Sequence, residues 1–218
     1  MATQPQTLRV RARARRLPRR QRREAILEAA IRLFAARGYH GVTTRELAAA
    51  AGVSEPILYR HFPTKQDLYS AIIEHKAQAG VAALEQALRP HIERGNDRGF
   101  FRELGRFVLE RYRMDPSYAR LLLFSALEGH ELAQMFYDRQ IAAHYRQVGE
   151  YLRRRMRDGA LRRMPVNVAA RAFLGMVNHQ ALMWLLFRDH MVPQDAETMV
   201  HTFVKVFLEG MQKGKSKG

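Results

Sequence analysis

The chain has 218 residues, 47% of them hydrophobic, enough for a packed core and too many for a disordered tail; it has room for one large domain or a small one joined to a medium one. It contains no cysteine, which excludes disulfides, thiolate metal sites and thiol nucleophiles and suits a reducing cytosol. A formal net charge of +16 calls for an anionic partner, and its placement along the chain narrows which one.

Residues 1–23 hold nine arginines and no acid, residues 24–70 balance to zero, residues 71–212 carry +4 and the last six add +3. Residues 1–21 therefore read as a basic arm, disordered on its own. Two roles stay open for the arginines from Arg9 to Arg23: following phosphates or entering a narrow minor groove, or forming a solvated tail that adds only non-specific attraction. No apolar stretch of signal-peptide length follows them, and the longest apolar run, Ala181–Phe187, is too short to span a bilayer, so a soluble, cytoplasmic protein is expected.

A first helix is predicted over Ala25–Phe34, ending near Ala36-Arg37-Gly38-Tyr39. Thr43 with Glu46 three residues later fits a capping box that opens a second, short helix, and Leu47, Ala48 and Ala51 share one apolar face. Gly52 supplies the left-handed backbone of a sharp exit, Val53 plugs the small core, and Ser54 is placed to cap a third helix holding Ile57, Leu58 and Phe62. Pro56 falls in the first turn of that helix, where its missing N–H costs little. Two short helices joined by one tight glycine turn form a helix-turn-helix, whose second helix can enter a major groove. Beyond it a long helix is predicted over Gln66 to about Arg89, with Pro90 near its end, and further helices over about Arg98–Met114, Pro116–Leu127, Glu131–Asp158, Val166–Arg188 and Asp195–Met211. No strand or internal repeat is predicted. The expected fold is all-α with about nine helices: a three-helix DNA-binding domain (22–73) and a larger helical domain (74–218).

The run Thr43–Phe62, with the preceding helix and the Pro63-Thr64-Lys65-Gln66-Asp67-Leu68 continuation, resembles the DNA-binding domain of the tetracycline-repressor (TetR) family of bacterial regulators, over about Arg22 to Ile73. The resemblance implies that Thr44 touches phosphate, that Arg45 reaches base edges, and that Ser54, Glu55, Pro56 and Ile57 stand at the base-facing start of the recognition helix. Tyr59, His61 and Lys65 look like phosphate contacts. Arg60 is either a further contact or a solvated charge. The chemistry is apt: Arg45 can pair bidentately with guanine, Glu55 can accept from the cytosine amine, and Pro56 or Ile57 can meet a thymine methyl. Two bland alternatives stand beside these: Tyr59 as a core aromatic, and Glu55 as a favourable charge at a helix N-terminus.

The resemblance also implies a homodimer through the last two helices, and a small-molecule pocket between helices five and eight. The helix over Val166–Arg188 is apolar around most of its circumference, and Val200, Phe203, Val204, Phe207 and Met211 line a stripe on the next, which suits either a dimeric bundle or a monomeric core. Tyr112, Phe124, Phe136, Asn178, His179 and Trp184 are candidate pocket residues; Asn178 and His179 alternatively form a hydrogen-bonded rung between subunits. The arginine groups Arg153–Arg155 with Arg157, and Arg162-Arg163, either suit a helix C-terminus or attract an anionic effector.

No enzyme is expected. His130-Glu131 opens a zinc-protease pattern, but Gln134 stands where the second histidine belongs. The Gly210–Ser216 stretch is one residue short of a phosphate-binding loop and follows no strand. No metal or cofactor is expected. The function implied is a ligand-responsive transcriptional regulator, a repressor by preference, that binds a palindromic operator as a homodimer and is released by a small molecule. The alternative is a sequence-independent DNA-coating protein that relies on the basic arm.

Overall fold

In the computed structural model, which describes residues 18–128, 131–187 and 195–211, every regular element among those residues is helical. The arm residues 1–17, His130 and the tail 212–218 lie outside that range. Helix α1 (Arg19–Arg37) starts directly after Pro18, so the last four arginines of the basic stretch are helical and do not extend the arm. It ends where Gly38 takes φ 74° and returns its N–H to the Phe34 carbonyl at 2.9 Å. Helices α2 (Thr44–Ala50) and α3 (Glu55–His61) follow, and then α4 (Lys65–Glu93), whose N-terminus is closed by a reciprocal Thr64–Asp67 capping box. The helix α4 runs past its predicted end because Pro90 sits in the last turn, where one missing donor breaks little of the ladder.

The rest of the chain forms α5 (Asp97–Met114), α6 (Pro116–Leu127), α7 (Glu131–Phe136), α8 (Ala142–Arg157), α9 (Val166–Phe187) and α10 (Ala196–Met211). A π-helical turn, Tyr137–Ile141, joins α7 to α8 without a break, so the single predicted helix over this stretch is one rod with a wide turn inside it. Ile141 at the end of that turn packs on the N-terminal core, whereas Tyr145 and Val148 pack on the C-terminal one; the wide turn falls where the rod passes from one to the other. With α7 and α8 taken as one rod, the described residues form nine.

Two separate apolar cores result. The N-terminal core gathers Ile26, Leu27, Ala30, Ile31 and Phe34 of α1, Leu47 and Ala48 of α2, Leu58 of α3, and Leu68, Tyr69, Ile72 and Ile73 of α4. The C-terminal core is built on Phe100, Phe101 and Leu104 of α5, Val148, Tyr151 and Leu152 of α8, Phe173 and Val177 of α9, and Val200, Val204 and Phe207 of α10, with Leu84 and Leu88 from the far half of α4. The predicted stripe on α10 is thus largely turned into its own core: Phe207 meets Phe101 at 4.8 Å, and a Cβ on Gly105 would lie 3.1 Å from Val200.

Helix α4 belongs to both cores, and α6 closes the angle between them. Leu121 of α6 is buried in the N-terminal core, and Tyr69, fully buried on α4, donates its hydroxyl to the Leu121 carbonyl at 3.0 Å beside Ser125 Oγ at 2.7 Å. Arg120 donates to the Ala35 carbonyl at 2.6 Å, and the Tyr39 N–H donates to Glu128 at 3.1 Å. At the middle of α4, Lys76 pairs with Asp115, while Arg111 donates to the Lys76 carbonyl at 2.7 Å. Burial pushes the Tyr69 phenol up to about 12, so it stays a neutral donor throughout the physiological range. Replacing Tyr69 with Phe keeps the ring and removes the donor; it is expected to lower stability by about 1–2 kcal/mol, read as a drop in thermal midpoint with the helical circular dichroism unchanged.

Candidate nucleic-acid interface

The reading head is fixed by local hydrogen bonds before any packing is considered. The Thr43 hydroxyl accepts from the Glu46 N–H at 3.3 Å, and the Glu46 carboxylate accepts from the Thr43 N–H at 2.8 Å, the reciprocal capping box expected from the sequence. Arg37, at the end of α1, donates to the other Glu46 oxygen at 2.8 Å and ties α2 to α1. The backbone bond to Thr43, then Arg37 and the Thr43 side chain, hold the Glu46 carboxyl down at about 2.

Between α2 and α3 the chain turns at Gly52, where φ is 65° and open space surrounds the Cα, so the glycine serves backbone conformation and not close packing. Val53 returns its N–H to the Ala48 carbonyl at 3.0 Å and packs partly against the core. Ser54 occupies the N-cap of α3, but its side chain makes no capping bond. Pro56 has no N–H to offer, and the Ile57 N–H already donates to the Ser54 carbonyl at 3.0 Å, so the donors that a serine cap uses are absent or taken.

Helix α3 buries Leu58, followed by Phe62, and turns its other face outward. Pro56, Tyr59 and Arg60 are exposed, with Tyr59 at 43%, so the core-aromatic alternative for Tyr59 does not hold. Ile57 and His61 are half-buried at the edges of that face. Arg45 is exposed on α2. The Thr44 hydroxyl donates to Glu55 at 2.8 Å, so two residues assigned separate DNA roles are joined to each other, and Glu55 is more than a charge at a helix end.

A cationic rim surrounds the far end of α3. The start of α1 lies beside the end of α3, and burial with the charges of Arg19, Arg22, Arg23 and Arg60 pushes the His61 imidazolium pKa below its ordinary value. Arg23 lies 5.0 Å over the Phe62 ring. Lys65 sits 4.3 Å over the Tyr39 ring, and burial lowers its ammonium pKa. The sequence reading gave the arginines from Arg9 to Arg23 a phosphate-following or tail role and began the domain at residue 22; it did not place Arg19 and Arg20 in a helix, because a basic run ahead of a helix reads as a tail until the helix start is known.

The six candidate pocket residues do not form one group. Tyr112 and Trp184 pack partly against the C-terminal core, and burial raises the Tyr112 phenol. Phe124 faces the other way, with its Cδ1 2.9 Å from where a Cβ on Gly38 would stand, against the turn that leads into the reading head. Asn178 is half-buried and His179 is exposed. The side chain of Phe136 lies outside the described residues. The sequence reading missed Gln180, the third polar residue of that interruption: its Nε2 is buried and has no hydrogen-bond partner.

Comparisons with known proteins agree with this architecture at both ends. Residues 26–72 match the family of bacterial regulatory proteins named for tetR, and residues 101–210 match the C-terminal domain of AefR-like transcriptional repressors. The HTH-type transcriptional activator FasR of Mycolicibacterium smegmatis is 46% identical over 77 residues, covering 35% of this chain and 35% of its own length, so the match spans about a third of that relative. The nucleoid occlusion factor SlmA of Marinobacter nauticus is 28% identical over 152 residues, 69% of this chain and 75% of that one. Among solved structures, a TetR-family regulator from Mesorhizobium loti superposes with a TM-score of 0.72 at 19% identity, over 90% of this chain and 100% of that one. The regulator AibR, solved with isovaleryl coenzyme A and operator DNA, superposes with a TM-score of 0.62 at 23% identity, over 85% and 97%.

The capping box gives a pH test. A carboxyl held near 2 contributes stability in full above its ordinary value of 4.5 and loses it as pH falls toward 2. The stability gap between the protein and its Glu46→Gln variant is therefore expected to be widest near neutrality and to close across that acid interval, as measured by denaturant midpoints at stepped pH.

Proposed function

This chain belongs to the TetR family of bacterial transcriptional regulators, and we propose that it is a homodimeric repressor of a palindromic operator, released by a small-molecule effector. The observation that carries the reading is the outward face of α3, exposed at Pro56, Tyr59 and Arg60 and rimmed by the arginines around His61. A short helix with one exposed face fits a major groove, and arginines at its far end fit the phosphates that flank the groove. Arg45, Glu55, Pro56 and Ile57 read bases, while Thr44, Tyr59, His61 and Lys65 hold backbone. Residues 22–73 act as the DNA-binding domain, with residues 74–218 as the dimerisation and effector domain. Both family and fold are those of regulators that are not enzymes.

The partner subunit meets α9 and α10. With the α10 stripe folded inward, the apolar groups left for an interface are Val168, Leu186 and Phe187 on α9 and Val206 on α10, each more than half exposed. Two such subunits set their recognition helices about one helical turn apart, roughly 34–36 Å, to meet both half-sites. The effector acts on that separation through α4, whose two halves sit in different cores. A coupling of about 1–3 kcal/mol changes operator affinity by about 5–150-fold. The buried amide of Gln180 supplies a donor for an effector's acceptor atom. Support for a ligand comes from the AibR structure, whose bound molecules are a coenzyme A ester and operator DNA. Support for repression comes from the repressor description matched by residues 101–210.

Selection of bound duplexes from a random pool at near-physiological salt tests this reading. An enriched inverted repeat is expected; binding without enrichment would instead assign the chain to sequence-independent coating. On the selected duplex, Arg45→Ala and Tyr59→Ala are each expected to weaken binding by about 10-fold or more while leaving the thermal midpoint near that of the parent. Removing residues 1–17, which leaves α1 whole, weakens binding and keeps the preferred repeat. Phosphates beside His61 favour its charged form, so binding takes up a proton: affinity rises as pH falls toward the lowered pKa of the free imidazole, and His61→Gln flattens that slope.

A further inference from the structure

The end of the molecule farthest from the reading head is a second concentration of arginine. Residues 153–163 hold six arginines and one acid, and no lysine occurs between Lys76 and Lys205. The structure uses two of the six internally. Arg155 is turned inward onto Asp97, with Nε–Oδ1 at 2.7 Å and Nη2–Oδ2 at 3.1 Å, and Tyr151 donates to the same carboxylate at 2.7 Å. Arg162 donates to the Gly210 carbonyl at 2.8 Å and closes the C-terminus of α10.

The others are exposed: Arg153, Arg154, Arg157 and Arg163, of which only Arg154, among the described residues, approaches a carboxylate, Asp158, at 4.0 Å. The turn between α4 and α5 packs beside them, since a Cβ on Gly95 would stand 3.1 Å from Arg155 Nη1, and it adds exposed Arg94 and Arg98. Against these six stand the exposed acids Glu93, Glu150, Asp158 and Glu209, with Glu197 in the groove that Arg98 lines. A helix C-terminus favours cations only within its last turn, which accounts for Arg94, Arg154 and Arg157 and leaves Arg98, Arg153 and Arg163 without that explanation. The 29 residues of α4 separate this pole from the head by about 43 Å at an ordinary helical rise.

We infer that this distal arginine pole binds the phosphate backbone of a second DNA duplex, so that the dimer bridges two segments. The inference rests on the DNA-binding reading above. Arginine without lysine suits phosphate, whose oxygens the guanidinium fork meets in pairs. A membrane surface is the weaker fit: the exposed apolar residues of this end, Val168 and Val206, belong to the α9 and α10 surface assigned to the partner subunit, which leaves nothing to insert among acyl chains. A duplex already held at the head keeps neighbouring DNA at high local concentration, so a weak, sequence-independent contact suffices.

The test loads the full chain on an immobilised duplex carrying the selected repeat and offers a labelled duplex of unrelated sequence at about 0.1 M salt. The parent protein is expected to capture the second duplex in a salt-sensitive way. The triple variant Arg153→Glu, Arg157→Glu, Arg163→Glu is expected to capture about 10-fold less, or lower still, with affinity for the first duplex within about twofold. The Arg→Gln triple variant falls between and stands in if the charge-reversed protein has a lowered thermal midpoint. Equal capture by parent and both variants assigns bridging to the N-terminal arm and overturns the inference, as does a parent that captures nothing. Sedimentation with phosphatidylglycerol vesicles, without capture of a duplex, assigns the pole to a membrane and overturns it too. Failure to bind the first duplex would refute the proposed function instead.

Discussion

The long helix α4, shared by two cores, governs this structure. The first half of α4 contributes Leu68, Tyr69, Ile72 and Ile73 to the N-terminal core, and its second half contributes Leu84 and Leu88 to the C-terminal one. One 29-residue helix thus joins the two cores without an interruption between them. The contacts around it serve the same end. Lys76 is held by Asp115 at the start of α6, and Arg111 of α5 donates to its carbonyl, so the mid-point of the helix is gripped from both neighbouring helices. The buried Tyr69 hydroxyl then fastens the near half to α6, and α6 is fastened to α1 through Arg120 and Glu128. The reading head is thus held against the body through directional polar groups together with the apolar side chains of Leu121 and Ile141.

That arrangement explains why the head needs so little of its own. Helices α2 and α3 have seven residues each, too short to persist alone. They are stabilised by a capping box, one glycine at positive φ, and a small set of buried side chains that end on α1 and α4. The face left over is free to carry charge and aromatic groups that no core would accept.

The sequence reading captured the head almost residue for residue because its signals are local. A capping box, a glycine exit and a proline in a first turn are written within four residues of where they act, and the structure places Thr43, Glu46, Gly52 and Pro56 accordingly. The Ser54 cap failed for an equally local reason, since the donors it needed are a proline nitrogen and an N–H already engaged. Long-range features were less legible. Periodicity found the α10 stripe but could not say which way it faced, and it gave no hint that α6 would bury Leu121 in the N-terminal core. The π-helical turn leaves the apolar pattern on either side intact, so it too escapes a reading based on period. Gln180 escaped because a glutamine on an amphipathic helix is ordinary until its amide is found enclosed without a partner.

The hydrogen bond between Thr44 and Glu55 has a consequence for how this head can change. Each residue sets the other's position, so a substitution at 55 that suits a new base also releases the hydroxyl at 44, and a substitution at 44 lets the carboxylate at 55 swing. Under the proposed base-reading role of Glu55, the effects of the two on base preference will not add, because residues in contact share one interaction energy. Drift toward a new operator therefore follows an ordered path, in which an exchange tolerated at one position depends on what already stands at the other, and libraries that vary one residue at a time will miss combinations that work only as a pair.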